Sequence, residues 1–135
     1  MQTLKKYFED NDRFAKHCGI ELLEVTPGGA KAKMPLSELH WNGIKTVHGG
    51  AIFTLADFTF AAASNSREQI AVAVSATISY TKAAQTGALH AEAKEISLNR
   101  KLSTYLITIT DDSGETVALF HGTAYRKNEK HTLSS

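Results

Sequence analysis

Residues 42–66, "NGIKTVHGGAIFTLADFTFAAASNS", decide how this chain is read. Between Lys45 and Arg67 they hold one formally charged side chain, Asp57. From Gly50 to about Ala63 the apolar residues Ile52, Phe53, Leu55, Phe58 and Phe60 leave no polar face, with alanines filling the gaps. A helix apolar all round is one that the rest of the fold encloses. An ionised carboxylate inside such a helix costs several kcal/mol unless it is hydrogen-bonded, ion-paired or open to a crevice. No basic residue lies within one turn of Asp57, so either a distant Lys or Arg meets it or it lines a site.

The flanks supply elements to surround the helix. Residues 3–18, "TLKKYFEDNDRFAKHC", predict one broken or two short helices, with Asp10 or Asn11 capping the second and Gly19 ending it. Residues 20–36 predict a hairpin, because Pro27-Gly28-Gly29 is turn chemistry and Ala30, Ala32 and Met34 alternate with lysines. Residues 35–47 read as a loop. Beyond the central helix come strand-like runs at 70–82, 88–98, 101–111 and 115–126, the last two joined by the turn Asp111-Asp112-Ser113-Gly114. In the first run Val72, Val74, Ile78 and Tyr80 are expected on one face and Ala73, Ser75, Thr77, Ser79 and Thr81 on the other. This is an α+β arrangement, an antiparallel sheet wrapped around a central apolar helix, expected as one domain over residues 1–135 with a frayed tail at 127–135. One sheet cannot cover the helix on all sides, which invites a second copy of the chain.

Composition narrows the partners. With 15 Lys+Arg against 14 Asp+Glu the net charge is +1, which argues against a dedicated nucleic-acid binder. Cys18 is the single cysteine, so no intramolecular disulfide forms. The amino terminus lacks the apolar core of a signal peptide and no run of about 18 apolar residues exists, so no membrane span is expected and the cytoplasm is the default location. His17, His40, His90, His121 and His131 show no ligand spacing, and no metal is expected.

His48-Gly49-Gly50 stands where the helix begins. Glycines there admit close approach of a ligand, and the first N–H groups of a helix are unpaired donors at its positive end, a potential oxyanion hole. A tight turn into the helix would use the same glycines. Asp57 lies seven residues beyond Gly50, roughly 10 Å along the axis, too far to act on a carbonyl held at its own helix's start. If both features serve one reaction centre, the carboxylate comes from a second subunit across a two-fold axis, giving two sites per dimer.

These residues carry a resemblance. Asn42, His48-Gly49-Gly50 and Asp57, spaced N-x5-HGG-x6-D, resemble the hotdog-fold acyl-CoA thioesterases of the phenylacetic-acid-degradation (PaaI-like) type. The amino-terminal helix, the Pro-Gly-Gly hairpin, "AVAVSATISYTKAA" and "HGTAYRK" extend the likeness over about residues 3–126. The resemblance implies homodimers joined edge to edge and often paired into homotetramers, and hydrolysis of a coenzyme A thioester, aryl-acyl or medium-chain, without a cofactor, coenzyme A being part of the substrate. It implies Asp57 as nucleophile or general base, the Gly49 N–H as the group polarising the thioester carbonyl, and Asn42 beside the thioester. Ser75 corresponds to a serine that orients water in related enzymes, with a packing role as the alternative. His48 fits orientation better than proton transfer. Gly50 adds to the substrate-binding turn, while Lys82, Arg100, Lys101, Arg126 and Lys127, at predicted strand ends, are candidates for the phosphates of coenzyme A. Trp41, Phe53, Phe58 and Phe60 are candidates for the acyl pocket, or plain core. Two other readings stay open: an acyl-CoA hydratase or dehydratase on the same fold, and a non-catalytic acyl-CoA-binding protein.

Overall fold

The computed structural model describes residues 2–132. Its elements are α1 (Gln2–Asn11), α2 (Arg13–His17), β1 (Glu21–Thr26), β2 (Gly29–Pro35), α3 (Gly49–Ser64), β3 (Gln69–Tyr80), β4 (Ala88–Leu98), β5 (Leu102–Thr110) and β6 (Thr116–Lys130), with one 3-10 turn at Glu38–His40. The six strands form one antiparallel sheet in the order β1-β2-β4-β5-β6-β3. The expected α+β architecture, a sheet wrapped on a central helix, is the one observed.

The sheet face toward α3 is filled by alternate residues, among them Ala91 and Ala93, Tyr105, Ile107 and Ile109, and Phe120 and Ala124, all almost wholly buried. From the helix, Ile52, Leu55, Ala56, Phe58, Thr59, Phe60, Ala62 and Ala63 meet them. Phe60 leans on Tyr105 and Phe120 with ring centroids 5.7 Å apart in each pair, and a Cβ on Gly122 would lie 2.9 Å from the Phe60 ring. Phe58 and Phe60 are therefore core, and Phe53 packs on Phe120 at 5.3 Å. α3 begins at Gly49, one residue before the expected start. Its exit is stitched down by side chains. The Asn65 amide bonds the Ala61 and Ala71 carbonyls and the Ala71 N–H, and Ser66 Oγ donates to Ala63 O while accepting from Gly28 N–H. Arg67 then grips Glu95 with two bonds of 2.9 and 3.1 Å, and Tyr105 donates to the same carboxylate.

Several expectations need correction. The cap of α2 is Asp12, not Asp10 or Asn11: its carboxylate accepts from Ala15 N–H at 3.0 Å, while Gly19 ends the segment at φ 77° as expected. A bulge between Ala73 and Ser75 breaks the alternation of β3. Val72 pairs with Tyr125 on the face away from α3, whereas Ile78 pairs with core Phe120 and faces the helix, so these residues do not share a face. Residues 127–130 are not frayed, because β6 runs on to Lys130, opposite Gln69, and His131 N–H donates to Glu68 O at 2.9 Å. The rest of the expected tail, 133–135, lies outside the described residues.

The two sheet edges differ. β1 carries Glu21 and Glu24, and α1 packs on it. β3 carries no charge and no proline along "QIAVAVSATISY", and Val74 and Tyr80 are 57% and 51% exposed. Charges and proline are the usual means of blunting an edge, and β3 has neither. Among the described residues, no helix is long and apolar enough to cross a membrane.

Candidate active site

The site is built around the start of α3. His48 is its N-cap in extended backbone, and its imidazole Nδ1 accepts from Gly50 N–H at 2.8 Å, which places the ring proton on Nε2. His48 thus caps α3 through its own ring. It also removes Gly50 from the list of available donors, because its N–H is spent on His48 and a Cβ there would lie 2.9 Å from the ring. Gly49 N–H, by contrast, donates to no group among the described residues. The His48 carbonyl on the same peptide unit accepts from Ala51 N–H at 2.9 Å and Ile52 N–H at 3.2 Å, which polarises that unit and strengthens its free N–H as a donor. Of the two glycines, Gly49 alone has an N–H left free among the described residues.

A cleft flanks this turn on either side. One, of about 480 Å³, is lined by Val47, Gly49, Ile52 and the segment from Tyr80 to Ala84. The other, of about 510 Å³, is lined by residues of α2 and the 3-10 turn, Trp41, His48, Gly50, Ala51 and Thr54. Trp41 is thus the one predicted pocket aromatic that reaches a cleft of the site, and its indole N–H donates to Gln85 O at 3.0 Å.

Asp57 projects from α3 two turns further on. It is exposed in the single chain and has no hydrogen-bond or ion-pair partner among the described residues, so the distant Lys or Arg that would make it structural is missing. Partial loss of water and the negative charge of Asp12 raise its pKa above the ordinary 3.8.

A sequence profile of the Thioesterase superfamily matches residues 44–118, more than half of the chain and the whole stretch from the turn before α3 into β6. The chain belongs to the thioesterase superfamily. This thioester hydrolase is 36% identical over 118 residues to acyl-coenzyme A thioesterase PaaI of Escherichia coli, covering 87% of this chain and 84% of that protein. It is 41% identical over 130 residues to an Archaeoglobus fulgidus protein provisionally named an esterase, covering 96% and 84%. Its fold matches the structure of the E. coli PaaI protein from the phenylacetic acid degradation operon with a TM-score of 0.90 at 32% identity, over 96% of each chain. The PaaI-like hotdog assignment and the enzyme class expected from the sequence both hold.

Other sequence candidates of the thioesterase fall in different places. Asn42 organises the loop before α3: its Oδ1 accepts from Ile44 and Thr46 N–H at 3.0 and 3.2 Å and its Nδ2 donates to Thr46 Oγ1 at 3.0 Å, a knot that holds Lys45 at φ 64°. Ser75 is not brought to the helix start within one chain. It pairs with Thr123 in the row of Thr77 and Ser79, on the sheet face away from α3. Lys82 borders the Gly49 cleft, but its ammonium is held by Asp111 at 2.6 Å and Glu115 at 3.1 Å, so it carries little free charge toward a phosphate. Arg100 and Lys101 are exposed on the β4–β5 turn. Arg126 joins them at that end, donating to Asn99 O at 2.7 Å and to the Gln69 side chain. Because Arg126 pairs near Ala71 and Gly49 sits by Tyr80, this cationic group lies roughly 30 Å along β3 from the Gly49 turn of the same chain.

One participant escaped the sequence. Tyr80, the last residue of β3, donates its hydroxyl to Gly49 O at 3.0 Å. The only signal for it was an aromatic at a strand end, which strands carry routinely.

Proposed function

We propose that the protein hydrolyses a coenzyme A thioester with an aryl or medium-chain acyl group, and that Asp57 of one protomer acts on the thioester carbon beside Gly49 of its partner. The observation that carries this is the unpaired Gly49 N–H at the head of a 16-residue helix whose single carboxylate, Asp57, is also unpaired. The two lie eight residues apart, about 12 Å of helix rise, so one chain cannot place both on one carbonyl. Two copies joined through the uncharged β3 edges, with their helices antiparallel, would exchange those ends. The identity to the E. coli acyl-coenzyme A thioesterase supports coenzyme A as the thiol.

In this reading the carbonyl oxygen of the thioester accepts from Gly49 N–H, where the helix dipole stabilises the negative charge as it develops. The Asp57 carboxylate either attacks the carbonyl carbon, expelling coenzyme A thiolate and leaving a mixed anhydride for water, or takes a proton from the attacking water. Both routes end in free acid and thiol and neither requires a cofactor. The same pairing sets the Arg126 end of one β3 beside the Tyr80 end of the other. Arg100, Lys101 and Arg126 then approach the partner's Gly49 turn, where the phosphates of coenzyme A would extend. The reading is tested by thiol release from aryl- and fatty-acyl-CoA esters, comparing native protein with Asp57→Asn. A loss of about 10² to 10⁴-fold in a folded variant of unchanged assembly is expected; equal turnover would return Asp57 to a structural role.

A further inference from the structure

Two consecutive glycines make a soft start for a helix, because neither has a side chain to restrict its backbone. Yet a donor that stabilises a transition state must be held in place before reaction, since an error of an ångström in position is costly. The fold meets this with two side chains on the peptide unit between Gly49 and Gly50. Its N–H donates to His48 Nδ1 at 2.8 Å and its carbonyl accepts from the Tyr80 hydroxyl at 3.0 Å. The unit is thus gripped at both poles, by the helix cap on one side and by the sheet edge on the other.

We propose that Tyr80 is a positioning residue for the oxyanion donor: by clamping the Gly49–Gly50 peptide it fixes the direction of the Gly49 N–H. The inference rests on the reading of Gly49 as that donor. The Tyr80 ring closes over Gly49, where an added Cβ would stand 3.2 Å from Cζ and 3.3 Å from the hydroxyl oxygen, so position 49 has room for glycine and little else. Tyr80 is itself set by the sheet: it pairs with Ala118, and Thr81 N–H just after it donates to Val117 O at 2.8 Å. β3 is also the uncharged edge strand, so whatever steadies that edge steadies the donor.

The test is Tyr80→Phe, which keeps the ring over Gly49 and removes the hydroxyl. Amide hydrogen exchange of Gly50, measured without substrate, is expected to quicken about tenfold as its peptide loosens. On any acyl-CoA the native protein hydrolyses, kcat is expected to fall about tenfold with KM within about twofold, the pattern of an interaction felt only in the transition state. Gly50 exchange unchanged in a folded Phe variant overturns the clamp, as does unchanged kcat on a hydrolysed substrate. A native protein that releases no thiol from the panel would sink the hydrolase reading, while faster Gly50 exchange would still support the clamp.

Discussion

At Asp57 a carboxylate is kept with nothing to neutralise it, and that has a consequence for acid. Its pKa is raised, first by partial desolvation and then by Asp12, so the folded chain holds this proton to higher pH than the unfolded chain does. Stability from this group is therefore lost as pH rises from 3.8 through the raised value, and the cost persists above it. Asp57→Asn should raise the melting temperature near neutral pH and leave it unchanged well below pH 3.8, which thermal scans at the two pH values would show. If Asp57 is the nucleophile or general base, its ionised form is the reactive one, and thiol release should decline on acidification through the same raised pKa. In Asp12→Asn, which keeps a competent helix cap, the acid limb of kcat/KM should move to lower pH by a fraction of a unit; an unmoved limb would mean that Asp12 does not act on Asp57. The composition exposed Asp57 because a lone charge in an apolar helix is costly wherever it occurs. Tyr80 stayed hidden because its partner is a backbone carbonyl 31 residues away, and a carbonyl has no sequence signature.

Among the elements, the strands were legible to within a few residues because β-branched alternation and Gly or Asp turns mark both their bodies and their ends. The bulge at residues 73–75 was not, since it adds a residue to the strand without altering its composition. It matters nonetheless, because it reverses the faces that the residues after it would take from Val72, turning Ser75 away from α3 and Tyr80 toward it. The cap of α2 was misplaced from sequence, which offered Asp10 or Asn11, because the observed cap, Asp12, is fixed by where the chain turns into the helix. The core between α3 and β6 has less tolerance. At Gly122 even one added carbon meets Phe60 at 2.9 Å and Phe120 at 3.0 Å. Gly122→Val should cost about 1–3 kcal/mol in a urea titration, the usual penalty for overpacking, and a neutral result would show that the Phe60 ring has somewhere to go.

On the proposed reading, a single chain of the whole molecule carries one half of each of two reaction centres. If Gly49 and Asp57 act in trans, two inactive variants should rescue each other. Asp57→Asn mixed with Gly49→Pro, which removes the N–H at the first position of α3 where proline is tolerated, denatured together and refolded, should recover about one quarter of native turnover, because half the dimers are mixed and each of those contains one intact site. No recovery from folded, mixed dimers would place both groups in one chain. The cations were legible as residues but not as partners: Lys82 looked as available as Arg100 until the Asp111-to-Glu115 turn folded back on it.

The strand order also governs when the molecule can be completed. β3 emerges directly from α3, yet its one neighbour in the sheet is β6, with all of β4 and β5 lying between them in sequence. Closing so long a stretch of chain exacts its entropy before the contacts return anything, so this seam forms late and slowly compared with the local β4–β5 hairpin. Until it closes, an uncharged strand well suited to pairing is unpaired on both sides and open to strangers. The surface most suited to joining two copies is thus also the period of greatest exposure in folding, and a chaperone that shields it would protect yield without touching the finished protein.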